Sequence, residues 1–305
     1  MPIKCVVCGA CGRMGREIIR LIGEDERFEL LGAVERRDHP DLAKDVGYLL
    51  FGRNMAVYLE ADLRDVIVGA DVVIDFTEPD ASLFHAEVCA DKGAAFVCGT
   101  TGFTGEQWEK FTSYAARTRT VYAPNFSVGV FVLRKLVQVA AACLPDWDVE
   151  IVEVHHGRKL DAPSGTAKKL AEDVASARGA KGYELVFGRE GRVGERRSGE
   201  LGIHAVRGGD VFGEHTVYLF GPSERLELVH RASSREAFAR GALMAAEFVA
   251  NARERGIYSM EHVVGFEPPA DLFGAQRITV PSDDDIPLVE GLEHARADDD
   301  SHSEK

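Results

Sequence analysis

Between Glu153 and Ala167 the chain reads E-V-H-H-G-R-K-L-D-A-P-S-G-T-A. Two imidazoles, His155 and His156, follow the apolar run Val149, Ile151, Val152 and Val154, which alternates as a strand does. An ammonium, Lys159, comes four residues after His155. After Pro163, the residues Ser164-Gly165-Thr166 open a helical spacing at Ala167, Leu170, Ala171 and Val174. The start of such a helix offers unpaired backbone N–H groups and a positive dipole end, suited to a carboxylate or phosphate. A proton donor, a fixed positive charge and an anion cradle thus lie between one strand and one helix. Either H-H or S-G-T alone reads as a solvated loop; together they point to a site for an anionic substrate.

A second constellation opens the chain. Ile3 to Gly9 is a short apolar run ending in G-A-C-G-R-M-G, with glycines at 9, 12 and 15, and the pattern Met14, Ile18, Ile19, Leu21, Ile22 continues as a helix. Strand, glycine turn, helix is the setting of a dinucleotide-binding loop, although the G-x-x-G-x-x-G spacing is not the commoner G-x-G-x-x-G. Gly9 allows the tight turn, Gly12 the approach of a pyrophosphate, and Gly15 close packing of helix on strand. The next apolar run, Glu29 to Val34, ends at Glu35, about 20 residues on, where an acid can bind ribose hydroxyls. Arg36 and Arg37 follow, and guanidiniums can hold the additional phosphate of NADP. Both NADH and NADPH are therefore expected cofactors.

The elements that position these residues follow from periodicity. Strands are expected at Asp71–Thr77, Ala95–Cys98 and Thr120–Tyr122, with helices at Pro79–Lys92 and Gln107–Ala116. Asp38 to Arg64 reads only as a loop and a short strand at Ala56–Leu59. This βα rhythm implies a parallel sheet covered on both faces, with ligands beyond the strands' carboxyl ends. The turns after Asp75, at Gly99-Thr100-Thr101 and at Ala123-Pro124-Asn125-Phe126 lie there. A helix over Val128–Cys143 is followed by the His155 strand, a long loop from Gly179 to Gly199, and strands at Gly202–Arg207, His215–Phe220 and Arg225–Arg231. Strand after strand marks a second, open-sheet α+β unit. A helix over Arg235–Arg255 is expected to return to the first unit.

Bulk properties exclude several classes. The 305 residues are 45% hydrophobic, 28% charged and 8% aromatic, a globular composition. No apolar run approaches the roughly 20 residues of a membrane span, and a strand starting at Ile3 leaves no room for a signal peptide, so a cytoplasmic protein is expected. The formal charge of −14 argues against nucleic acid. Phe266 to Lys305 holds eleven acidic and three basic residues, −8 of that total, and reads as a disordered acidic tail. Cys5, Cys8 and Cys11 have a metal-like spacing, but two lie on one strand and the third in the glycine loop, so no metal is expected and they read as small apolar residues.

Taken together, G-A-C-G-R-M-G, Glu35-Arg36, G-T-T-G, A-P-N-F-S-V-G-V, the E-V-H-H-G-R-K-L-D-A-P-S-G-T-A stretch and G-I-H-A-V-R-G-G-D resemble, in order, the dihydrodipicolinate reductase (4-hydroxy-tetrahydrodipicolinate reductase) family of the diaminopimelate and lysine pathway, over about residues 3 to 265. The resemblance implies a Rossmann-type doubly wound cofactor domain (1–126 and 237–265), a substrate-binding and oligomerisation domain (127–236) whose open sheets meet in a homotetramer, and a tail (266–305). It implies NAD(P)H-dependent reduction of a cyclic imine dicarboxylate. His155 and Lys159 would be the catalytic pair, with His156, Gly165 and Thr166 on the substrate. Gly9, Ala10, Cys11, Gly12, Arg13, Met14, Glu35, Arg36, Gly99, Thr100, Thr101, Ala123, Pro124, Asn125 and Phe126 would contact the cofactor. Phe131 departs from the family, which often has asparagine there, and the tail exceeds the family's usual end. The rival functions are a reductase of another small acid and a non-catalytic NAD(P)-binding regulator.

Overall fold

The computed structural model describes residues 1–179 and 183–266. In chain order the elements are β1 (Ile3–Cys8), α1 (Arg13–Ile22), β2 (Phe28–Val34), α2 (Val46–Phe51), β3 (Leu59–Glu60), α3 (Leu63–Val66), β4 (Val72–Asp75), α4 (Pro79–Lys92), β5 (Ala95–Cys98), α5 (Gly105–Ala115), β6 (Arg119–Tyr122), α6 (Val128–Cys143), β7 (Asp148–His155), α7 (Gly165–Ala177), β8 (Glu184–Val186), β9 (Glu200–Arg207), β10 (Glu214–Gly221), β11 (Glu224–Arg231), α8 (Glu236–Asn251), β12 (Gly256–Tyr258) and α9 (Met260–Val264).

β1 to β6 and β12 form a seven-stranded sheet in the order β3-β2-β1-β4-β5-β6-β12, every pair parallel. Successive residues of a strand point to opposite faces, and both faces are covered, so the strands are apolar throughout. Cys5, Val7, Val72 and Ile74 enter the core under α1 and α8. Val6, Cys8 and Val73 enter the core under α4 and α5. Cys5 and Cys8 are thus buried on opposite sides of the sheet, and burial pushes their thiols up to about 12 and about 11. The order reverses between β1 and β4, which makes the β1–α1 turn a topological switch point.

The second sheet, β11-β10-β7-β9-β8, is mixed: β10 runs antiparallel to β7 and β11, and β9 parallel to β7 and β8. Val149, Ile151, Leu201, Ile203, Val217 and Leu219 face α6 and α7. A buried carboxylate fastens those helices, Asp173 of α7 accepting from Arg134 Nε (2.7 Å) and Gln138 Nε2 (2.9 Å) of α6. The other face of the sheet lies open, with Glu150, Val152, His204, Tyr218 and Phe220 around a concavity.

Three local expectations need correction. The segment read as a long loop holds β8, a three-residue edge strand beside β9 whose flanking charges hide its pattern. The segment read as loop between Asp38 and Arg64 holds the short helices α2 and α3, capped by the Asp45 and Asp62 side chains, and its strand sits at Leu59–Glu60. The late helix stops at Asn251, where Arg119 Nη1 donates to the Ala250 carbonyl (2.9 Å) and so takes a terminal acceptor. The chain then forms β12 alongside β6. Phe131 is buried, edge-on to Phe266 (6.0 Å), while the Lys135 ammonium lies over both rings and 3.1 Å from Glu261 of α9. Beyond Phe266 the acidic tail lies outside the described residues.

α8 seats itself on β4, β5, β6 and α1. Its closest approach is at Gly241, where a Cβ would lie 1.7 Å from the Phe126 carbonyl oxygen. Gly241→Ala must therefore lift α8 from the sheet or displace the turn after β6. A loss of about 1–3 kcal/mol is expected from such overpacking, measured as the urea midpoint; an unchanged midpoint would contradict this packing.

Candidate active site

The glycine turn is fixed before any ligand arrives. The amides of Gly9 (φ +75°) and Ala10 both donate to the Val34 carbonyl, at 2.9 and 3.1 Å. A Cβ on Gly15 would lie 2.1 Å from the Gly9 oxygen, so only glycine lets α1 start this close to the turn. Gly12, the N-cap of α1, has no side chain to cap the first-turn N–H groups, which leaves them for an anion. Glu35, just past β2, accepts from the Cys11 amide (2.9 Å), so this carboxylate and the glycine turn touch. Arg36 is largely exposed with its Nε 3.3 Å from Asp38, and Arg37 pairs with Asp62 at 3.1 Å. Ala10 is buried and Met14 packs on the core beneath α1.

The neighbouring turns build a floor of rings and hydroxyls. Phe76, after β4, packs on Phe126 (5.4 Å between centroids), and Gly99 is required because its Cβ would lie 2.2 Å from the Phe76 ring. Thr100 is buried, its Oγ1 accepting from the Thr77 amide (3.1 Å) and the Ser82 hydroxyl (2.7 Å). Thr77 in turn donates to buried Asp75 (2.6 Å). The Thr100 hydroxyl therefore ties two turns together, while Thr101 and Pro124 are exposed. Ala123 and Phe126 are buried and present backbone.

Hydrogen bonds join this side to the second sheet and its helices: Asn125 Nδ2 donates to Thr166 Oγ1 (3.1 Å) in the first turn of α7, and Ser127 Oγ lies 3.3 Å from His230 Nε2 of β11. Ser164 caps that helix, its hydroxyl accepting from the Ala167 amide (3.2 Å), and Gly165 is exposed at the helix start. The loop from His156 to Pro163 is pinned to the β9–β10 connection, with His156 N–H on the Val211 carbonyl (2.8 Å) and Gly208 N–H on the His155 carbonyl (3.0 Å). Lys159 Nζ lies 2.7 Å from Asp161. That carboxylate is well exposed, so the ion pair is of the weak, exchangeable kind.

Behind His155 stand groups that sequence reasoning did not single out. Glu153 is fully buried, and its carboxylate meets His155 Nδ1 (2.5 Å), both terminal nitrogens of Arg207 (2.8 Å each) and the Ser164 amide (3.0 Å). Burial opposes its ionisation, but His155, Arg207 and the Ser164 amide outweigh burial and bring the carboxyl down to about 2. His215 is buried edge-on to His155 (5.3 Å) with Nε2 3.2 Å from Ser164 Oγ; burial and the His155 ring push it down to about 3, so it is neutral. His156 is shifted down by desolvation and by Arg158, Arg13 and Arg235. Burial and the charges of Arg13 and Arg158 likewise lower Arg235, whose guanidinium lies over the Phe212 ring (5.1 Å). These three arginines, one from α1's start, one from the His155 loop and one from the start of α8, make a cationic patch where the two sheets' loops meet.

Residues 3–126 match the model for the dihydrodipicolinate reductase N-terminus and residues 129–264 that for its C-terminus. The chain is 51% identical over 265 residues to a 4-hydroxy-tetrahydrodipicolinate reductase of Anaeromyxobacter sp. (strain Fw109-5), covering 86% of this chain and 98% of that protein. It is 46% identical over 266 residues to the enzyme of the same name from Syntrophus aciditrophicus (strain SB), covering 87% and 99%. Among solved structures, the dipicolinate-bound dihydrodipicolinate reductase from Paenisporosarcina sp. TG-14 superposes with a TM-score of 0.69 at 28% identity, covering 86% of this chain and 99% of that one. With both halves matched and nearly the whole length of these relatives covered, this chain belongs to the dihydrodipicolinate reductase family and is an oxidoreductase.

Proposed function

We propose that this chain reduces 4-hydroxy-tetrahydrodipicolinate at the junction of the two sheets, with His155 and Lys159 as the catalytic pair. The observation that carries this reading is the Asn125–Thr166 hydrogen bond, which sets the helix start beside His155 against the turns at the strand ends of the first sheet. The dinucleotide would lie on Gly9 to Met14, with Glu35 on its ribose and Gly99–Thr101 and Ala123–Phe126 along its length. The fit rests on the uncapped start of α1, the Glu35–Cys11 contact and the Arg13, Arg158 and Arg235 patch, which complements a pyrophosphate. When bound, the reduced nicotinamide supplies hydride to a ring carbon of the cyclic imine left by loss of water. The chain's own residues do the rest. Lys159 and the first turn of α7 at Gly165 and Thr166, with His156, hold the two carboxylates of the substrate. His155 or Lys159 delivers the proton that the enamine needs once hydride has been added. Glu35 favours NADH, Arg36 offers a contact for the NADPH phosphate, and both cofactors are used.

In this reading residues 1–126 with 237–265 serve the cofactor and 127–236 the substrate. The open face of the second sheet, with Val206, Phe220 and Val229 partly exposed, is the surface on which four copies assemble. Among the described residues no helix is long and apolar enough to cross a membrane; the enzyme works in the cytoplasm on a small metabolite.

The central test supplies the aldehyde–pyruvate condensation product and follows NADH or NADPH loss. His155→Gln and Lys159→Ala are each expected to lower turnover by roughly 10²-fold or more; near wild-type turnover in both would reject the pair. Pyridine-2,6-dicarboxylate should bind competitively with substrate, and a failure to bind would point to a different small acid. Glu35→Ala should raise KM for NADH more than for NADPH, and an unchanged ratio would remove its ribose role.

Acid stability follows from the same site. An unfolded His215 takes a proton below its ordinary 6.5, whereas the folded one resists down to about 3, so this group's contribution is complete above 6.5 and is lost as pH falls across that window. Glu153 acts in the same direction lower down, between 4.5 and about 2. His215→Gln should remove one proton's dependence from the upper window, flattening the slope of unfolding free energy by up to about 1.4 kcal/mol per pH unit. Urea titrations at several pH values check this, and an identical slope would contradict a buried neutral His215.

A further inference from the structure

We propose that Glu153 is the positioning residue for His155, holding the ring with its Nδ1–H on the carboxylate and Nε2 turned to the substrate, and that Arg207 couples this arrangement to the loop carrying Lys159. The inference rests on the reading of His155 as a catalytic group.

Its physical basis is a saturated acceptor. On β7 the residues Val149, Ile151 and Glu153 alternate onto the helix-covered face, so Glu153 occupies a position that the pattern gives to an apolar side chain. Its Oε2 accepts from His155 Nδ1 and Arg207 Nη1, and its Oε1 from Arg207 Nη2 and the Ser164 amide. An ionised carboxylate only accepts, so the imidazole nitrogen facing it must carry the proton, whether the ring is neutral or charged. That leaves Nε2 to give a proton away and to be refilled. Nε2 faces Gly213, where a Cβ would come to 3.1 Å of it, so the β9–β10 connection adds no side chain on that side.

The charges around the ring limit what Glu153 does. From β7 comes the Glu153 carboxylate, from β9 the Arg207 guanidinium, from β10 the neutral His215, and from the adjoining loop Lys159 and His156. Arg207 binds both carboxylate oxygens, so it offsets much of the negative charge the ring would otherwise feel. Orientation and choice of tautomer, more than raised basicity, are what Glu153 supplies. Arg207 also donates to the Asp161 carbonyl (2.8 Å), two residues beyond Lys159. One guanidinium therefore sets the carboxylate behind His155 and the backbone of the Lys159 loop together.

The test combines spectroscopy with kinetics. In wild-type enzyme labelled with [¹⁵N]histidine, His155, assigned by comparison with His155→Gln, should show a protonated Nδ1 at every pH in the activity range. Protonation at Nε2 alone in the neutral form would overturn the proposal without recourse to any Glu153 variant. Glu153→Gln places an amide that can donate toward Nδ1; it should switch the tautomer and cut kcat by roughly 10²-fold or more, while KM for NADH stays within a factor of about three, a range small beside that catalytic loss. Glu153→Asp should recover part of kcat. Adding Glu153→Gln to His155→Gln should cost nothing further, since the two act as a unit; additive losses would make Glu153 a structural residue only. If His155→Gln itself keeps wild-type turnover, the catalytic reading of His155 fails first, whereas loss there with an Nε2–H ring removes Glu153 alone.

Discussion

A carboxylate that cannot reach water governs the second half of this molecule. Glu153 is fully buried and ionised, and an ion in that position is tolerated only when its oxygens are saturated. The donors come from the strand itself, from β9 and from the residue that caps α7. Leaving such a charge without its partner costs about 3–5 kcal/mol, so β7, β9 and the start of α7 cannot drift apart independently. Asp173 uses the same device elsewhere, joining α6 to α7 through Arg134 and Gln138. One buried carboxylate holds the helical layer together, and the other holds the loop that carries Lys159.

The first sheet meets its task by different means. Its carboxyl-end turns are shaped by close backbone approach at Gly9, Gly15 and Gly99 and by hydroxyl ties through Thr77, Ser82 and Thr100. The hydroxyl ties end on buried Asp75, while the glycine turn itself offers N–H groups beside the Glu35 carboxylate. A rigid, polar rim above a continuous apolar core is what a long, flexible dinucleotide needs in order to be fixed along its whole length. The cationic patch of Arg13, Arg158 and Arg235 draws on both halves of the chain. Each of these charges lowers its neighbours' affinity for a proton, as expected where like charges crowd together.

Much of this was legible in the residues. Apolar runs such as Val72–Asp75 and Ala95–Cys98, each followed by a helical period, give the parallel sheet, because burial on both faces leaves a continuous hydrophobic signal. The fifteen-residue stretch around His155 supplies the candidate groups by residue type. Its partners were harder to see. Glu153 stands in the quoted stretch, and the alternation Val149, Ile151, Glu153 was its signal, a charge at an inward register position beside two histidines. Arg207 and His215 lie far along the chain and meet Glu153 only through strand pairing, which periodicity does not report. β8 and β12 are three residues each, shorter than any period can establish.

β12 carries a consequence for how the chain comes into being. Residues 256–258 pair with residues 119–121, so the outermost rail of the first sheet arrives after the whole second sheet has been synthesised. A nascent chain leaving the ribosome has β6 with a bare flank of unpaired amides and carbonyls, and α8 has yet to cover β4, β5 and β6. The amino-terminal half therefore cannot mature as an autonomous vectorial unit, and its flank stays adhesive until translation is nearly complete.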